Sequence, residues 1–64
     1  MKVGEIYVQT RTVDELRYAP ENMVVITTIA DTSIYFRRLK TLSYANNSGV
    51  VEQEDFDHLF QFYF

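Results

Sequence analysis

The side chains that could do chemistry crowd into one stretch, Glu52-Gln53-Glu54-Asp55-Phe56-Asp57-His58, which holds four carboxylates and the only histidine of the 64-residue chain. Acid/base catalysis by such groups needs a reacting centre on which they converge, and nucleophilic catalysis needs a Ser, Cys or Lys activated by a base. There is no cysteine, and His58 falls between Asp57 and Leu59 on what reads as a solvated face. The acidic run lacks the spacing and the internal glycine of a calcium loop. The two glycines, Gly4 and Gly49, cannot build a glycine-rich phosphate cradle. The pattern therefore predicts no enzyme, no metal and no cofactor. The acids have a plainer use at the start of a helix, where carboxylates meet unpaired amides and the positive end of the dipole. Mimicry of DNA calls for a larger negative excess than the net charge of -3.

Aromatic residues are equally concentrated, just after the acids. Phe56, Phe60, Phe62, Tyr63 and Phe64 are half of the chain's aromatics. Placed on a helix at about 100° per residue, Phe56, Leu59, Phe60 and Tyr63 share one stripe with Phe64 at its margin, and Glu54, Asp57, His58 and Gln61 take the opposite face. Phe62 alone does not fit; either the helix ends before it or it faces outward to a partner. The pattern predicts a C-terminal helix over about 53–63 whose aromatic stripe closes a small core.

The elements that must position this tail are mostly strands. Ile6 and Val8 alternate onto one face of a first strand over 5–12. Residues 13–22, with Asp14, Glu15 and Pro20, read as a long loop. Met23–Ala30, MVVITTIA, is dense in β-branched residues and reads as a central strand. After Asp31-Thr32-Ser33 the chain alternates again, with Ile34, Phe36 and Arg38 opposite Tyr35, Arg37 and Leu39, which spells a hairpin. Its turn has no glycine, so local hydrogen bonds from the Asp31 side chain are expected there. Leu42-Ser43-Tyr44 continues as the end of a bent strand. Ala45-Asn46-Asn47-Ser48-Gly49 signals a turn suited to positive φ, and Val50-Val51 makes a short last strand.

A chain this short folds as one domain and buries only about 60% of the surface its unfolded form exposes. Without cysteines or a histidine set it has neither disulfide nor zinc to help, so apolar packing must suffice. Four or five strands, one long loop and a short helix predict a mainly β fold, a small SH3-like barrel or a strongly bent antiparallel sheet plugged by the helix. No apolar run reaches the length of a membrane span and the start has no signal-like core, so a cytoplasmic protein with no membrane partner is expected.

The opening KVGEIY, the hairpin ITTIADTSIYFRRLKT and the close GVVEQEDFDHLFQFY together resemble small SH3-like proteins encoded by bacteriophages and prophages. The likeness spans most of the chain and rests on fold-pattern residues. It implies an accessory protein that binds, and modulates or inhibits, a host protein, and it carries over no catalytic residue.

Two surfaces of opposite character are open to such binding. The first is the acidic and aromatic tail, with Glu54, Asp57, His58, Gln61, Phe62 and Phe64 as contacts, since aromatics anchor interfaces and acidic rims steer basic partners. A host protein is the expected partner there. The alternative is nucleic acid held by Tyr35, Arg37, Arg38, Lys40 and Tyr44, basic groups beside aromatics on a small β-surface, although alternation splits Arg37 from Arg38. A homodimer burying the closing aromatics is the third reading.

Overall fold

The computed structural model describes residues 1–10, 22–40 and 47–64. Five strands and one helix occur in chain order: β1 Ile6–Gln9, β2 Met23–Ala30, β3 Ser33–Arg38, β4 Ser48–Glu52, α1 Gln53–Leu59 and β5 Phe60–Phe62. The strands form one antiparallel sheet in the order β4-β3-β2-β1-β5. The fold is thus mainly β with a short C-terminal helix. Among the described residues no ladder joins β4 to β5, so of the two forms anticipated the sheet takes the open one. The long loop at 13–22 and the segment around Tyr44 lie outside the described residues, except for Asn22.

The sheet must curl. Laid flat, five strands put their outer members about 19 Å apart, at about 4.8 Å per spacing. The connection from β4 to β5 is the seven-residue α1, which rises only about 10 Å. Curvature closes the difference, and β2 supplies some of it through a bulge: Ile26 pairs with Phe36 and Thr28 with Tyr35, leaving Thr27 as the extra residue.

The β2–β3 hairpin closes in two residues, since Ala30 pairs with Ser33. The turn types that suit so short a connection need positive φ at the first central residue. Asp31 provides it at φ 55. This corrects the expected role of the Asp31 side chain: the residue serves the turn through its backbone, and the side-chain hydrogen bonds come from Thr32 and Ser33 to the Glu52 carboxylate, at 2.6 and 3.3 Å. Those bonds tie the hairpin tip to the junction of β4 and α1.

Gly49 is also not the positive-φ turn residue that its sequence neighbours suggest. It sits inside β4 opposite Phe36, and a Cβ built on it would lie 2.8 Å from the tip of the Phe36 ring. Glycine is there because an aromatic ring crosses its backbone. Strand β4 therefore begins at Ser48, two residues before the Val50-Val51 pair that the β-branched pattern marks.

The core lies between the concave face of the sheet and α1. Tyr7, Val24, Ile26, Ile34, Phe56 and Phe60 form it, with Phe36 and Val51 packed against it. Its centre is a group of rings: Phe56 stacks on Phe60 at 4.7 Å, meets Tyr7 edge-on at 4.9 Å and lies 6.0 Å from Phe36. Such pairs add about 0.5–1.5 kcal/mol each beyond the area they bury. Phe56, fully buried, is the plug that the aromatic pattern predicts. On the other face of the sheet Val8 and Met23 pair across β1 and β2, and both are buried.

Candidate partner-binding surface

The helix is shorter than its pattern. It ends at Leu59, and residues 60–62 leave it to become β5. The expected helix over 53–63 is corrected accordingly. The physical reason is the free edge of β1: Tyr7 pairs with Phe62, Val8 with Gln61 and Gln9 with Phe60. Phe60 turns extended at φ -132 and ψ 153 while its N–H still donates to the Phe56 carbonyl, closing the helix. Beyond it the chain exchanges helical partners for strand partners on β1, and Tyr63 and Phe64 both donate to the Ile6 carbonyl, at 2.8 and 3.1 Å. The Thr10 hydroxyl bonds the carbonyls of His58 and Leu59 at 3.1 and 3.3 Å, fixing the bend.

This switch from helix to strand changes which side chains are exposed. Helical spacing puts Leu59 and Tyr63 inside with Phe56 and Phe60, but only Phe56 and Phe60 are buried. Leu59, Phe62, Tyr63 and Phe64 all face solvent, Phe62 at 56% and Phe64 at 77% exposure. The helix ends before Phe62, and its side chain is exposed. Its ring still meets Tyr7 edge-on at 5.5 Å, so one side of it is anchored. Four large apolar side chains are thus exposed among six consecutive residues, and exposed apolar surface of this extent is a candidate for interaction.

The acidic part lies on α1 and the residue before it. Glu54 and Asp55 occupy the first turn of α1, where the unpaired amides favour them, and the N-cap residue Glu52 makes no side-chain cap bond because its carboxylate is held by Thr32 and Ser33. Glu52, Gln53, Glu54, Asp55 and Asp57 line an open cleft of about 570 Å³ with Thr32 from the hairpin tip. Thr32 is a contributor that the sequence does not point to, since it comes from a turn on a distant part of the chain. Asp57 joins the two parts. It is close enough to Tyr7 to act on its ionisation, and Tyr7 carries Phe62 on its ring. The Tyr7 phenol is raised above its usual 10.0, chiefly by burial, then by the Glu5 charge and the 3.3 Å hydrogen bond to Glu5, and last by Asp57.

The six tail residues thus divide. Glu54 and Asp57 lie in the cleft, His58 is exposed at the end of the helix, and Phe62 and Phe64 belong to the aromatic patch. Gln61 points to the other side of the sheet from Phe62, because it pairs with Val8 while Phe62 pairs with Tyr7. The basic set divides more widely. Arg38 shares the helix-side rung of Val24, and Arg37 shares the opposite rung with Val25 and Ser48. Tyr35 alternates onto the face of Arg37, Lys40 lies beyond the end of β3, and Tyr44 is outside the described residues. Among the described residues no group of three or more His, Cys, Asp or Glu is arranged to hold a metal ion. No helix there is long and apolar enough to cross a membrane. No protein-family model, curated protein or solved structure matches the chain.

Proposed function

We propose that this chain is a binding protein without catalytic activity, and that it engages another protein through the surface formed by α1 and β5. The observation that carries the reading is the exposure of Leu59, Phe62, Tyr63 and Phe64 on the segment that directly follows the cleft carboxylates Glu54 and Asp57. Exposed rings give an interface its anchors, and a negative rim selects a partner with a basic surface and raises its association rate. A host protein, bound so as to modulate or inhibit it, is the partner class that the resemblance to phage-encoded SH3-like proteins implies. Nucleic acid is the weaker reading, since Arg37 and Arg38 face opposite sides of the sheet and three dispersed charges neutralise few phosphates.

The test is capture from a nuclease-treated bacterial lysate by the tagged chain, beside Glu54→Lys and Asp57→Lys. A basic protein retained by the wild type and lost by the charge-reversed, still folded variants is the expected result. Retention that depends on nucleic acid, or that is indifferent to both reversals, would count against the reading.

A further inference from the structure

The open sheet has two edges, and they differ in what they leave unpaired. At β5, residues 59, 61 and 63 face β1, so 60, 62 and 64 face out. Yet Phe60 N–H is taken by the Phe56 carbonyl, and the Phe64 N–H and carbonyl both bond Ile6. Among the described residues only Phe62 keeps its outward pair without a partner. At β4, Asn47 carbonyl accepts from Arg38 and Gln53 N–H donates to Thr32, which fixes 47, 49, 51 and 53 as the residues bonded to β3. The main chain of Ser48, Val50 and Glu52 therefore points outward. Natural edges are usually protected by charged residues, above all lysine, by proline or by a bulge; Ser-Gly-Val-Val-Glu has no lysine, proline or bulge, and its one charge, Glu52, is held at its end by Thr32 and Ser33.

We propose that the outer edge of β4 is a self-association site, at which two copies pair their β4 strands antiparallel about a two-fold axis through Val50. The register is set by the outward residues. Val50 meets Val50 of the second copy and exchanges both hydrogen bonds with it, and Ser48 meets Glu52 in each half. The Val50 N–H and carbonyl and the Glu52 N–H find partners that they lack among the described residues of the single chain.

Three features of the side chains agree with this register and with a second copy as the occupant. Val50, 51% exposed, covers its own equivalent, with exposed Tyr35 beside it on each side because Tyr35 pairs with Val50. Arg37 pairs with Ser48, so its rung continues across the axis to Glu52 of the second copy. The two strand spacings between them set Arg37 and that Glu52 about 10 Å apart at the backbone, and an arginine and a glutamate leaning over the small Ser48 span that distance. Among the described residues no carboxylate pairs with Arg37 in the single chain. On the helix side, Val51 of the second copy comes over Gly49, beside the Phe36 ring that already covers that glycine. The aromatic patch on β5 is at the opposite edge, so the pair presents two such surfaces.

Light scattering over a concentration series tests this on the whole chain, with circular dichroism as the check of folding. The wild type should give twice 7.6 kDa. Val50→Lys, which sets two ammonium groups face to face at an exposed position, should give the single-chain mass with an unchanged spectrum. Arg37→Glu and Glu52→Arg, each placing like charges across the axis, should each be single chains, and their equimolar mixture should recover the doubled mass, because both crossings are then opposite in sign. A wild type that stays single up to about 1 mM, a Val50→Lys chain that stays double, or a mixture of the charge variants that stays single would each overturn the proposal.

Discussion

Truncating Phe56 should cost far more than truncating Phe62, although the two rings lie close together in the chain. Phe56 is fully buried and touches the rings of Tyr7, Phe36 and Phe60. Phe→Ala at such a site removes the transfer free energy of the ring and leaves a cavity, together about 3–5 kcal/mol. A chain of this length is expected to be stable by about 3–10 kcal/mol, so Phe56→Ala should lose from about a third to all of that stability. Phe62 keeps one ring contact, to Tyr7, and is more than half exposed. Its loss should cost about 1 kcal/mol, the edge-on pair plus a fraction of its burial. Urea unfolding monitored by far-ultraviolet circular dichroism measures both. A Phe56→Ala chain that unfolds at the same urea concentration as Phe62→Ala would refute the claim that α1 closes the core through this one ring.

Other expectations rest on single features. Because the folded Tyr7 phenol ionises above the unfolded value near 10.0, its contribution is fully present below pH 10 and declines as pH rises beyond it; melting temperatures from pH 8 to 11 should show that decline in the wild type and a weaker one in Tyr7→Phe. Asp31→Val puts a β-branched residue at φ 55 and should destabilise by about 1–2 kcal/mol, read as a lower urea midpoint. Gly49→Ala gains about 0.4–1 kcal/mol by restricting the unfolded chain, but its Cβ would stand 2.8 Å from a Phe36 ring held by Phe60 at 5.2 Å; overpacking of about 1–3 kcal/mol should win, and an unchanged or raised midpoint would show that the ring moves freely.

What could be read in the sequence depended on whether a local pattern had one meaning. MVVITTIA reads only as a strand, and β2 occupies those eight residues. Along β3 the alternation of Ile34 and Phe36 with Tyr35 and Arg37 matches their alternating burial. The tail had two meanings. Phe56 and Phe60 are one helical turn apart, yet Phe60-Gln61-Phe62 also alternates, and only the unpaired edge of β1, a partner near the other end of the chain, decides for the strand. The bulge at Thr27 has no signature among neighbouring Thr residues. Gly49 looked like a turn because its reason is a ring on another strand. For the same cause Thr32 was invisible as a wall of the acidic cleft, while Glu54 and Asp57 were legible through their place on the polar side of α1.

The measurement closest to the central claim is the dissociation constant, by calorimetry, of the protein captured from lysate, for the wild type and for Phe64→Ala. Phe64 is 77% exposed and is a cleaner probe than Phe62, which also packs on Tyr7. A loss of fivefold or more, about 1 kcal/mol, with an unchanged urea midpoint is the predicted result. Equal affinities for the two chains would contradict a binding surface on α1 and β5.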